Sequence, residues 1–152
     1  MTETPEGPTF AKPPRFNHIA LSLPADALDE AGRAAIIGFY GDLLGAVEHV
    51  EMTRDRKQLV LGLHTHEQFF FLVAEDEPMR APRMDHVGVS VSTVEDFAEV
   101  ARRAAAWKER LPGEVELIEP SSEDFVGVLR LHSFYVRYRL PIMLEVQHFQ
   151  FL

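Results

Sequence analysis

A ten-residue segment occurs twice in this chain, and each copy has a histidine near its centre. Residues 14–23 read PRFNHIALSL and residues 82–91 read PRMDHVGVSV. Pro, Arg, His and Ser are identical between the copies, and the other six positions change conservatively. A repeat of this kind places His18 and His86 at equivalent points of two copies of one structural unit. The chain is then two halves of about 70 residues each, and 152 residues is enough for one domain or two fused small modules.

Each half has the same expected order of elements. Residues 15–23 alternate apolar and polar side chains, which predicts a strand. A helix is expected over 27–44, with Leu28, Ile36, Ile37, Tyr40, Leu43 and Leu44 as its apolar positions and Gly45 as its stop. Strands follow near 46–52, 57–64 and 67–75. In the second half a strand is expected over 83–91, then a helix over 94–110 capped by Thr93, with Phe97, Val100, Ala101, Ala104 and Trp107 on one face. Strands are expected near 114–119, 126–138 and 142–150. The fold class is therefore α+β. Two tandem βαβββ modules (15–76 and 83–152), joined by a linker at 77–82, form a cup-shaped, mostly antiparallel sheet around a metal site. Residues 1–14, acidic and Pro-rich without an apolar run, read as a flexible lead-in and not as a signal peptide.

Composition narrows the function. No cysteine is present, so disulfides, thiolate zinc sites and cysteine nucleophiles are excluded. The net charge of −9 disfavours a phosphate backbone as partner, and the basic runs at 54–57 and 102–103 are too short to reverse that. No run of eighteen apolar residues is present, so no membrane span is expected and cytoplasmic residence is the default. No phosphate loop, dinucleotide-binding glycine pattern or GxSxG elbow occurs.

The chemistry rests on the histidines and one carboxylate. Strand alternation puts His18, Ala20 and Ser22 on one face, and His86, Gly88 and Ser90 on the matching face. The last strand reads PIMLEVQHF, with Glu145 between Leu144 and Val146. A carboxylate in an apolar run is costly to bury unless it is paired or bound to a cation. His18, His86 and Glu145 together make two imidazoles and one carboxylate. That set suits non-haem Fe(II), with Mn(II) or Zn(II) as substitutes. His148 has the opposite parity to Glu145 and is expected to face away, and His49 reads as peripheral. Phe69, Phe70 and Phe71 read first as core, with one or two able to wall an aromatic substrate. Arg137 and Arg139 read first as paired with local acids, and second as contacts for a substrate carboxylate.

These motifs resemble the vicinal oxygen chelate superfamily, which includes glyoxalase I, bleomycin-resistance proteins, methylmalonyl-CoA epimerase and the type I extradiol dioxygenases. The resemblance covers residues 15–150. It rests on the [ND]-H-[IV]-[AG]-[LV]-S strand in both halves, on FYGDLLG at 39–45 and on SFYVRYRLPIMLEVQ at 133–147. It implies metal ligands on the first and last strands of each module, as His18, His86 and Glu145 are. Phe71 stands where a fourth ligand would match Glu145, and a two-residue slip would bring Glu67 or Gln68 closer. Three ligands without a fourth imply the extradiol type, with Fe(II) favoured and Mn, Zn, Ni or Co open. Tyr135, ten residues before Glu145, is then a substrate-side hydrogen-bond donor. His64 and His66 are acid/base candidates, with His132 a third. The RYRLP segment at 137–141 departs from the turn usual in that family, and full-size extradiol enzymes have four modules where this chain has two. The implied partners are a small-molecule substrate, aromatic in the extradiol reading, and a second copy of the chain. A glyoxalase-like lyase or epimerase, and a metal-free drug-binding resistance protein, are the alternatives.

Overall fold

The computed structural model describes residues 11–152, so most of the lead-in lies outside the described residues. The chain runs β1 (His18–Pro24), α1 (Glu30–Leu44), β2 (Val47–Glu48), β3 (Gln58–Gly62), β4 (Phe69–Glu75), β5 (His86–Ser90), α2 (Val94–Arg110), β6 (Glu116–Phe125), β7 (Leu129–Arg137) and β8 (Met143–Phe151). These form two four-stranded sheets of the same topology, β1-β4-β3-β2 and β5-β8-β7-β6. In each, the first strand lies parallel to the last and the other pairs are antiparallel.

Local chemistry sets the ends. Asp29 caps α1 by accepting from the Gly32 amide at 2.7 Å. Turn bonds from Ala27 to Pro24 and from Asp29 to Asp26 occupy the preceding residues, so the helix starts three positions later than the apolar pattern predicts. Gly45 ends it in the left-handed region at φ 69°. Thr93 caps α2 by accepting from the Asp96 amide at 3.0 Å. β2 is only two residues long, because the amides of Met52 and Thr53 turn back to the His49 carbonyl. In the second module β6 runs on to Phe125. The register shifts between Ile118 and Ser121, and this irregularity absorbs Pro120, which reads in sequence as a strand end. The hairpin turn therefore falls at 126–128.

Each sheet has one covered and one open face. Leu21 and Leu23 of β1 and Phe70, Leu72 and Ala74 of β4 are buried under α1, whereas His18 and Ala20 are exposed. In the second sheet Phe134 and Val136 of β7 and Leu144 and Val146 of β8 are buried in the core, while His86, Gly88 and Ser90 are exposed. The modules meet through their helices. Phe39 of α1, fully buried, packs its ring 5.2 Å from Trp107 of α2 and 4.7 Å from Tyr138. Trp107 Nε1 donates to Asp42 at 2.8 Å, and Arg103 donates to the Asp42 carbonyl at 2.7 Å. The buried Tyr40 hydroxyl donates to the Tyr138 carbonyl at 2.8 Å. No ladder joins β1 to β5, so each remains an edge strand of its own sheet.

Candidate metal centre

On the open face of the second sheet, register brings three predicted residues together. Gly88 of β5 lies opposite Glu145 of β8, and Glu145 lies opposite Tyr135 of β7. His86 Nε2 is 3.2 Å from Glu145 Oε2. The Tyr135 hydroxyl donates to the same carboxylate, and its ring meets that of His86 edge-on at 5.3 Å. That hydrogen bond, reinforced by burial and by the Glu145 charge, holds the Tyr135 hydroxyl above the ordinary tyrosine range. Tyr135 therefore stays protonated and remains a donor at neutral pH. Glu145 is 8% exposed, which is unusual for a carboxylate and matches its place in an apolar strand.

The tautomers of both repeat histidines are set by their neighbours. His86 Nδ1 lies 2.8 Å from the Met84 carbonyl, which can only accept, so Nδ1 carries the proton. His18 Nδ1 lies 2.9 Å from Asn17 Oδ1, an oxygen that already accepts from the His18 amide. Each neutral ring thus offers the lone pair of Nε2. At His86 Nε2 faces a carboxylate oxygen, and the contact is favourable when a proton on Nε2 or a metal cation lies between the two. Two donors each about 2.1 Å from one ion are about 3.0 Å apart in octahedral and about 3.4 Å in tetrahedral geometry, and the observed gap falls between these. The pair fits a divalent ion, with the Nδ1 anchor fixing the ring as an outer-sphere partner does.

His18 does not join this pair within one chain. Among the described residues, the only three His or carboxylate side chains whose donor atoms lie within 4.8 Å of one another are His49, Glu51 and His66. His18 sits on the first sheet, stacked on Phe69 at 4.9 Å with the rings 8° from parallel. The register pairs Ala20 with Phe71 just as it pairs Gly88 with Glu145, so Phe71 does occupy the place of a fourth ligand. Glu67 is turned to an ion pair with Arg15, and Gln68 accepts from Thr65.

Other residues fall elsewhere. His64 and His66 are exposed in the turn between β3 and β4, and His66 packs against His49 with ring centroids 5.0 Å apart. His132 lies on the face opposite Glu145, held by Ser122 and Gln150 at 2.8 Å each, beside Phe97. It is therefore not placed to exchange protons there. His148 faces away from Glu145, with Nδ1 3.1 Å from the Val91 carbonyl. Arg137 pairs with Glu116, and Arg139 lies over the Tyr138 ring. His49 stands apart from this pair, yet its side chain is only 13% exposed. No local sequence signal marks it, because its burial depends on how β2 registers against β3.

No known family profile matches the chain, and no curated protein matches it significantly. Solved structures do. An integron cassette protein from the mobile metagenome of the Halifax Harbour sewage outfall superposes with a TM-score of 0.58 at 15% identity, over 88% of this chain and 97% of that one. A glyoxalase/bleomycin resistance protein from Albidiferax ferrireducens T118 gives 0.57 at 15% identity, over 88% and 98%. A lactoylglutathione lyase from Agrobacterium tumefaciens gives 0.54 at 18% identity, over 90% and 96%. Identities at this level speak to the fold and not to the reaction. Two βαβββ units with histidines at matching points of their first strands, and this set of structural neighbours, show that the chain has the vicinal oxygen chelate fold.

Proposed function

We propose that the protein is a divalent-metal enzyme that cleaves a catecholic or other vicinal-oxygen substrate in the extradiol manner. The centre would be held by Glu145 and His86 of one chain and His18 of a second copy. The observation that carries this reading is the His86–Glu145 pair, with Nε2 facing a buried carboxylate across 3.2 Å. Phe71 at the fourth position supports the three-ligand form, since it leaves more of the ion's coordination sphere open to substrate. Fe(II) is the favoured ion. When bound it supplies Lewis acidity, a template for two vicinal oxygens and electrons for dioxygen.

The chain's own groups have separable tasks. Met84 fixes His86 in the ligand tautomer. Tyr135 directs its hydroxyl at Glu145 and so acts as a positioning residue. Phe69 and Phe71 on the open face of the first sheet supply an apolar wall for an aromatic ring.

The direct test is anaerobic loading of metal-stripped protein with Fe(II), followed by oxygen uptake on a panel of catechols. The expected result is uptake matched to ring-opened product containing both atoms of dioxygen, and abolished in E145Q. Metal retention without uptake would favour a lyase or epimerase. Absence of tight metal would favour a metal-free binding protein. A second prediction concerns Tyr135: Y135F should keep the fold but cost about 10–100-fold in metal affinity or turnover, the usual effect of removing an outer-sphere partner. Competition against a chelator of known affinity reads it, and an unchanged affinity and turnover would deny Tyr135 its role.

A further inference from the structure

The open face of the first sheet carries a second group of metal-type donors, independent of the centre above. Leu59 and Leu61 of β3 point into the core, so Val60 and Gly62 face the open side. The His49 amide bonds to the Val60 carbonyl at 2.9 Å, and the His49 ring lies directly over Gly62. A Cβ on Gly62 would stand 1.8 Å from His49 Nε2. Only glycine accommodates the ring there. Nε2 is the one buried side-chain nitrogen or oxygen among the described residues without a hydrogen-bond partner. Packing, and not hydrogen bonding, therefore fixes this imidazole.

The other ring nitrogen, Nδ1, faces Glu51 Oε1 at 3.9 Å. His66 approaches from the turn between β3 and β4, and one donor atom from each of the three residues lies within 4.8 Å of the others. Two ligands of one ion sit about 3.0–3.4 Å apart, so closure needs a shift of about an ångström. Glu51 and His66 are both exposed on turns and can supply it.

We infer that His49, Glu51 and His66 form a second binding site for a divalent transition ion of the zinc class. Two imidazoles with one carboxylate select Zn(II), Co(II), Ni(II) or Cu(II) over the oxygen-seeking Mg(II) and Ca(II). The ion clips the connection after β2 to the turn after β3. Three protein ligands leave at least one position for water or a small anion. That position is at the edge of a groove of about 540 Å³ lined by His66, Met52, Asn17, Arg15 and Phe69. The new site is not half of a dinuclear centre. Phe69 pairs with His18 on one side and with Gly62 on the other, so His18 and His49 stand up to three strands apart, about 10–15 Å.

The test uses the full chain carrying H86A and E145Q, which removes the first centre. Zn(II) titration by calorimetry, with Co(II) absorption as a second readout, is expected to show one equivalent bound per chain and a raised Tm. Adding H66Q, at an exposed turn position, should abolish that equivalent and the Tm rise while far-UV circular dichroism stays unchanged. E51Q should weaken binding in the same direction. No tight ion in the H86A/E145Q chain would overturn the inference, as would an equivalent that survives both H66Q and E51Q.

Discussion

Mixing H18A chains with H86A chains should restore the catechol-dependent oxygen uptake that neither variant shows alone. The expectation follows from three features. His86 and Glu145 meet within a chain, but His18 stands on the other sheet and apart from them. The modules dock helix to helix, which leaves both histidine faces uncovered. β1 and β5 are each edge strands, so neither has a strand on its outer side. A two-fold axis that sets β1 of one copy beside β5 of the other does so twice, and completes two sites per dimer. In a mixed dimer, one of those sites lacks both histidines and the other is intact. Random re-association of equal amounts makes half the dimers mixed, so recovery should reach about one quarter of the wild-type level. Native mass spectrometry confirms that mixed dimers form. Mixed dimers that stay inactive would show that the site does not form between copies.

What could be read from the residues, and what could not, divides along a physical line. A strand has period two, so the matching HIALS and HVGVS segments reveal which side chains share a face. The structure agrees: Ala20 and Gly88 pair with Phe71 and Glu145 at the same level of their sheets. Helix ends marked by Thr93 and Gly45 were equally legible, because caps are local chemistry. The strand expected near 114–119 runs on to Phe125, since a bulge absorbs Pro120 and nothing nearby in sequence says so. His49 was invisible because its burial needs the β2–β3 register and a missing Cβ at Gly62, thirteen positions away. Separation of His18 from His86 was hidden for a similar reason. It depends on which faces of α1 and α2 meet, and Phe39 and Trp107 carry no local mark of being partners.

That pairing sets the largest stability effect expected in the molecule. F39A should destabilise the protein by about 3–5 kcal/mol, as truncation of a buried phenylalanine does. Phe39 is wholly buried, and its ring contacts Tyr40, Trp107 and Tyr138 at 4.8, 5.2 and 4.7 Å between centroids. Two of those three partners belong to the second module, so the lost volume opens the joint between modules and not the interior of either. Polar links also cross the joint: Trp107 and Arg103 on Asp42, and Tyr40 on the Tyr138 carbonyl. They bond well only while the helices stay in register. Trp107 is the sole tryptophan and sits at the joint, so its fluorescence reports the interface, while circular dichroism reports the elements. In the wild type, urea unfolding followed by the two probes should coincide. In F39A the fluorescence midpoint should fall by about 2 M, given a slope of about 2 kcal/mol per molar urea, and the circular dichroism midpoint should lag behind it. Coincident and unshifted curves would mean that the two modules are held together by something other than this aromatic contact.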